Sequence, residues 1–284
     1  MRSNPMSRDA PSPLQGRTVF ITGPARGIGA EVARQLAGKG ANVALAGLEP
    51  DLLRDLAGEL RPNAAWWEMD VRNRRQVDTA VAGAAQRFGA IDVVMANAGI
   101  YRMTPLPSAD AKDAEEVIDV NLLGAWRTVQ AALPHVVERR GYVLVVASLA
   151  AVLHLPLMGA YAASKAGVTA MANSLRMELD GTGTKVGVAY FGIVDTDMTR
   201  NAWRQPLIAR VRSREQGALT APPVPVEVAA RAIVRGMERR SRWILEPRWA
   251  APAILAPWFV QRLAEAQSRR RGIPGLVRGE LRID

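Results

Sequence analysis

Five runs of the chain, RTVFITG (17–23), NVALAG (42–47), IDVVMANAG (91–99), GYVLVVAS (141–148) and KVGVAYFG (185–192), are almost continuously apolar and rich in β-branched residues. Alternating patterns mark strands with one face in water, whereas uninterrupted runs mark strands covered on both faces. A sixth stretch, AAWWEMDV (64–71), has strand character between the second and third of these runs. Segments of helical length separate them: 27–39, 50–60, 74–88, a long helix within 110–138, and one from about 159 to 180. Strand and helix therefore alternate, which predicts an α/β fold built on a doubly wound parallel sheet. No internal repeat and no long spacer interrupts the order, so one domain is expected.

At 284 residues a single domain of this class can bury a large core. The domain is placed at 16–248, with a flexible N-terminal tail at 1–15 and a C-terminal extension at 249–284. The tail, MRSNPMSRDAPSPLQ, is polar and rich in proline and serine, with no apolar core of a secretory signal. The chain has no cysteine, which fits a reducing, cytoplasmic setting. Its formal charge is +10, carried almost wholly by arginine because lysine stands only at 39, 112, 165 and 185. No nucleic-acid motif and no basic stripe interleaved with aromatics accompanies that charge, so it is read as a solvated basic surface and no nucleic acid is expected as a partner. Attraction to anionic membrane surfaces stays open, as peripheral association. The stretch from Tyr142 to Tyr161 approaches the length of a membrane span, but Ser148, His154 and Pro156 break it, and it is read as a buried strand followed by a loop.

Directly after the first strand comes TGPARGIG, Thr22 to Gly29, and the next helix begins inside it. Gly23, Gly27 and Gly29 let the backbone turn tightly and bring bare N–H groups and the positive end of a helix dipole against a diphosphate. Ala25, Arg26 and Ile28 belong to the same turn. Its spacing is Gly-x3-Gly-x-Gly, and a tight strand-to-helix turn is the bland alternative. Its place in the first βα unit makes a Rossmann-like dinucleotide site the stronger reading. Two further loops at strand ends line the same crevice. Asp70 and Val71 close the third strand, within reach of an adenine edge, and Asn97, Ala98 and Gly99 close the fourth, small enough for close approach of a cofactor.

In YAASK, Tyr161 and Lys165 are four residues apart and share one face of a helix. A phenol titrating near ~10 is a poor base at neutral pH. An ammonium ~4 Å away favours phenolate by up to ~4 kcal/mol at an effective dielectric of ~20, before screening and desolvation. Ser148, at the end of the preceding strand, is placed to hold a substrate oxygen while Tyr161 exchanges its proton. Tyr-x3-Lys alone is usually a surface pair; with an upstream serine and a dinucleotide turn it is not.

On these motifs the chain resembles the short-chain dehydrogenase/reductase family over residues 15 to 247. The resemblance implies an NAD(P)-dependent oxidoreductase interconverting a ketone or aldehyde and an alcohol. It implies Tyr161 as general acid/base, Lys165 as the group that lowers its pKa and binds the nicotinamide ribose, and Ser148 as the residue orienting the substrate. Asn121, in DVNLLGAW, matches the family's asparagine in a proton relay, and a helix-interior side chain bonding a backbone carbonyl is compatible with that role. In FGIVDTDM, Gly192, Ile193 and Thr196 would contact the nicotinamide side, with Phe191 where the family usually has proline. A homo-oligomer, dimer or tetramer, is likewise implied by the resemblance.

An acidic residue at the end of the second strand would bind a ribose 2′-hydroxyl. Gly47 stands there instead and Arg26 lies nearby, so NADP is favoured over NAD, although Glu49 is within reach of a ribose hydroxyl. The loop AVLHLPLMG supplies His154, Leu155 and Met158, which with Met103 and Trp203 are read as walls for a small apolar carbonyl or alcohol. No metal site is read. The extension, with Trp249, Trp258, Phe259 and a basic end, suits a subunit interface, a pocket cover or a membrane-surface contact. A catalytically idle dinucleotide-binding sensor or assembly subunit is the alternative from another class, and the joint presence of Asn121, Ser148, Tyr161 and Lys165 argues against it.

Overall fold

The structure, a computed structural model, describes residues 11–214 and 222–281. Seven parallel strands form one sheet among the described residues, in the order β3-β2-β1-β4-β5-β6-β7. They are β1 (Thr18–Thr22), β2 (Asn42–Gly47), β3 (Ala64–Glu68), β4 (Val93–Ala96), β5 (Tyr142–Val146), β6 (Lys185–Phe191) and β7 (Trp243–Glu246). The strand order reverses between β1 and β4, and there a crevice opens at the carboxyl ends. β1, β4, β5 and nearly all of β2 and β6 are buried, as their unbroken apolar runs require.

Helices α1 (Gly27–Ala37) and α9 (Val226–Arg239) pack together on one face, and α3 (Arg74–Phe88), α5 (Gly124–Glu138) and α6 (Gly159–Glu178) cover the other. Local chemistry sets their ends. Pro50 opens α2 (Pro50–Glu59), where its missing N–H costs nothing. The Asn73 side chain accepts from the amides of Arg75 and Gln76 at the start of α3, and Gly89 ends it in the left-handed region. At the amino ends of the strands, buried Asp92 ties three elements together. It accepts from the Thr18 amide at 2.9 Å, from Arg17 at 2.6 Å and from Arg139 at 3.1 Å. Burial opposes its charge, but these donors hold its carboxyl below the usual range.

The helix expected within 110–138 is two helices, α4 (Ala111–Ile118) and α5, joined by one π turn at Asp119–Leu123. Single π turns concentrate at functional sites, and this one carries Asn121. β3 ends three residues before the stretch read for it: the Met69 amide makes the last bond to β2, to Gly47 O at 2.7 Å, and the Asp70 amide donates instead to Gln76 Oε1 at 2.7 Å. β7 lies within the stretch RWILEP, which the sequence reading did not mark as a strand.

Of the tail expected at 1–15, only residues 11–15 are described. Leu14 is buried in the core and Ser12 donates to Glu238 at 2.9 Å, so residues 11–15 belong to the fold, while 1–10 lie outside the described residues. Past β7 come α10 (Ala251–Leu255), α11 (Pro257–Arg270) and α12 (Ile273–Leu281). They fold back toward α7 (Asp197–Trp203) and α8 (Pro206–Arg214), and fully buried Ile273 packs with Leu157, Ala202, Ile208 and Val211. Gln261 of α11 is bonded to both backbone groups of His154, accepting at 2.8 Å and donating at 3.1 Å. The extension thus braces the loop between Ser148 and Tyr161.

Candidate active site

The cleft at the β1/β4 switch point has a volume of about 610 Å³. Its floor is the glycine turn. Gly23 adopts φ +64, and a Cβ there would stand 2.9 Å from Ala98 Cα. Gly29 admits no side chain either, since a Cβ would stand 2.8 Å from both Asn97 Nδ2 and Gly23 O. Arg26, at the N-cap of α1, makes no side-chain cap, which leaves the first-turn amides to whatever occupies the cleft. A cradle of bare backbone at a helix N-terminus fits a diphosphate.

Asn97 serves this turn from behind. Its Nδ2 donates to Thr22 O at 2.9 Å and to Gly23 O at 3.1 Å, while Thr22 Oγ1 accepts from the amides of Asn97 and Ala98. Ala98 and Gly99 continue the wall, and a Cβ on Gly99 would press within 3.2 Å of Asn121 Oδ1. Ala25, Gly27, Ile28, Gly47, Val71, Gly192 and Thr196 also line the cleft. Ile193 does not; its carbonyl accepts from the Val224 amide at 2.8 Å, which turns it toward the loop before α9. Asp70 lines the cleft too, but its carboxylate is occupied by Arg72 at 2.7 Å. Arg72 holds it below the usual range, so an adenine edge would meet a paired carboxylate. Arg26 and Glu49 pair across the mouth at 3.2 Å, both half-exposed.

Where β5 ends, Ser148 Oγ accepts from the Ala150 amide at 3.1 Å and donates to Phe191 O at 3.4 Å. Phe191, in the place of the family's proline, is buried and offers that carbonyl to the site. Tyr161 lies in the first turn of α6 and Lys165 one turn on, both facing the cleft. Lys165 Nζ donates to Val146 O at 2.9 Å and stands 5.6 Å from the Tyr161 ring centroid. Burial without a counter-ion pushes the Lys165 ammonium down to about 8. Burial likewise pushes the Tyr161 phenol up, and a hydrogen bond with Ser148 offsets part of that rise. Burial is the larger influence on this phenol here, and the Lys165 ammonium directs a proton at a backbone carbonyl.

Buried Asn121 does not line the cleft. Its Oδ1 accepts from the Ile100 amide at 2.8 Å, and its Nδ2 donates to Ile100 O at 3.0 Å and to Ser164 Oγ at 3.1 Å. Ser164 in turn donates to Tyr161 O at 2.7 Å, so the π turn is linked to the backbone beneath Tyr161.

The five residues read as substrate walls divide. Met158 is buried with Ala150 and Ala162, and Met103 and Leu155 pack on that cluster beside Tyr161. Trp203 is turned away into the cluster around Ile273, with the Arg212 guanidinium 3.5 Å above its ring. His154 is exposed and lines, with Leu155, a separate hollow of about 750 Å³ against α11 and α12. Two features escaped the sequence reading. Tyr101 packs edge-on against Tyr161 at 4.7 Å, and an ion network of Asp70, Arg72, Glu116 and Arg102 closes one end of the cleft. Both follow motifs that had been recognised, Tyr101 two residues after Gly99 and Arg72 two after Asp70, but neither carries a pattern of its own.

A glycine turn at the switch point, with Tyr161 and Lys165 beside it, defines a dinucleotide-dependent enzyme class, and the comparisons agree. A family model described as short chain dehydrogenase matches residues 17–207, and the chain belongs to that family of NAD(P)-binding oxidoreductases. A glycine betaine reductase of Emericella nidulans is 32% identical over 202 residues, 70% of this chain but only 16% of that longer protein. An Arabidopsis thaliana protein named 11-beta-hydroxysteroid dehydrogenase 1A is 29% identical over 83% of this chain and 70% of its own length. Among solved structures, an alcohol dehydrogenase from Thermococcus sibiricus complexed with 5-hydroxy-NADP superposes with a TM-score of 0.67 and 28% identity. That match covers 77% of this chain and 89% of the other.

Proposed function

We propose that the protein interconverts a ketone or aldehyde and an alcohol on a small apolar substrate, with NADP as the favoured cofactor. The observation that carries this reading is the convergence of Ser148, Tyr161 and Lys165 on the same cleft as the glycine turn. A bound nicotinamide supplies or accepts the hydride; the chain's own residues handle the proton and the substrate oxygen. Ser148 Oγ, with an amide donor behind it, holds that oxygen, and the Tyr161 phenol exchanges a proton with it. Lys165 binds ribose hydroxyls and favours the phenolate, which requires Nζ to turn from Val146 O toward the cleft. Asn121 positions the strand-end backbone at Ile100 through its two hydrogen bonds.

Several features support NADP. Gly47 puts no carboxylate at the end of β2, and Arg26 and Arg72 line the cleft. The Arg26–Glu49 pair is half-exposed and so is worth no more than about 1 kcal/mol, which a 2′-phosphate can displace. The solved relative from Thermococcus sibiricus is complexed with an NADP derivative. Met103, Leu155 and Met158 around Tyr161 support an apolar substrate, and one relative carries a hydroxysteroid in its name. A homo-oligomer in a cytoplasmic setting is part of the reading, supported by exposed Leu123 and Trp126 at the start of α5 and by the lack of cysteine.

Tyr161→Phe tests the chemistry. The phenol's proton is lost and the ring is kept, so cofactor binding should persist while turnover falls by about 10²-fold or more. Unchanged turnover would remove Tyr161 from the reaction.

A further inference from the structure

The C-terminal extension turns one face inward and leaves the other without a partner. Residues on α11 step about 100° around its axis. Gln261, Ala264 and Ser268 share the inner face: Gln261 bonds the His154 backbone, Ser268 is buried, and Ala264 lines the hollow behind that loop. Phe259, Arg262, Leu263 and Arg270 share the opposite face, and all four are exposed. Trp258 stands at its edge with its ring 5.9 Å from that of Phe259. Exposure is 68% for Trp258, 51% for Phe259 and 55% for Leu263, and Leu255 at the end of α10 reaches 70%. Single exposed apolar residues are ordinary, but this concentration within one helix and the turn before it marks an interaction surface.

Charge decides what covers it. Exposed Arg262 and Arg270 stand on the same face as these side chains, on a chain of net charge +10. A two-fold contact of this face with a second copy would set arginine against arginine. An anionic surface is the complementary occupant. We propose that this face docks on an anionic lipid surface, with α11 lying in the plane of the interface. Trp258, Phe259 and Leu263 enter the boundary of the acyl chains, and Arg262 and Arg270 extend their heads to the lipid phosphates and carboxylates. No described helix is long and apolar enough to cross a membrane, and the 14 residues of α11 lie on the bilayer.

Sedimentation of the full-length chain with vesicles tests this. The protein should pellet with mixed phosphatidylcholine–phosphatidylserine vesicles, far less with phosphatidylcholine alone, and less as salt rises. The triple substitution Trp258→Ser, Phe259→Ser, Leu263→Ser should weaken binding to the anionic vesicles by about tenfold or more. Arg262→Gln with Arg270→Gln should remove much of the salt dependence. All five side chains are exposed, so an unchanged melting temperature verifies that each variant is folded. No pelleting of the wild type with anionic vesicles, or equal pelleting of the wild type and the triple variant, overturns the proposal. So does self-association that the triple substitution abolishes in a protein that ignores vesicles, which would give the face to a second copy.

Discussion

Lys165 is buried where α6 lines the cleft and faces Val146 O in place of an anion. Its folded pKa of about 8 lies below the value of ~10.5 expected for an unfolded chain. The unfolded state therefore binds more protons between these values, and stability rises with pH across that window. Below it the buried charge costs about 3 kcal/mol. Tyr161 shifts the opposite way, so its contribution is present below pH ~10 and falls away above it. Unfolding free energy measured in urea should thus climb from pH 8 to pH 10, and Lys165→Met should flatten the climb; an equal slope in both proteins would contradict the burial of the charged group. At Gly29 the expectation is steric. Gly29→Ala forces a Cβ against Asn97 and Gly23 O, and should cost about 1–3 kcal/mol, read as a lower melting temperature and a weaker cofactor titration. The identities of these residues were legible from spacing. The direction of the Tyr161 pKa was not, because desolvation depends on how completely Tyr101, Met103, Leu155 and Met158 surround the ring, and those come from two segments far apart in the chain.

The elements divide in the same way. β1, β2, β4, β5 and β6 could be read directly because strands covered on both faces need unbroken apolar runs, and the helices between them needed only length and caps. The π turn at Asp119–Leu123 left no such trace, since one extra residue per turn does not alter the apolar pattern on either side. It is anchored by two hydrogen bonds across 21 residues, one from the Ile100 amide to Asn121 Oδ1 and one from Asn121 Nδ2 to Ile100 O. Asn121→Asp keeps the acceptor and loses the donors to Ile100 O and Ser164 Oγ. It should lower thermal stability and reduce turnover more than cofactor affinity; loss of cofactor affinity alone would place Asn121 in the binding wall instead. Asp92 serves the opposite end of the sheet, far from the cleft. Asp92→Asn weakens charge-assisted bonds to Arg17 and Arg139 and should cost about 2–3 kcal/mol with kcat unchanged.

At the scale of the whole molecule, the extension past β7 makes this chain more than a sheet with a cleft. Ile273 is fully buried against Leu157, and Gln261 holds His154, so the loop joining Ser148 to Tyr161 is supported from outside the dinucleotide-binding core. Ile273→Ala should cost about 2–5 kcal/mol and raise hydrogen exchange in residues 152–158, with the cofactor cradle left protected. The sequence showed the extension's aromatics and arginines but not its path, because short helices broken by Pro257 and Gly272 can fold back in many directions. The proposed reaction rests on the cleft holding a dinucleotide, which a titration of the purified protein with NADPH and NADH measures. Saturable binding of both is predicted, tighter for NADPH, with the difference reduced by Arg26→Gln. Failure of either dinucleotide to bind would contradict the assignment of the glycine turn and with it the proposed reaction.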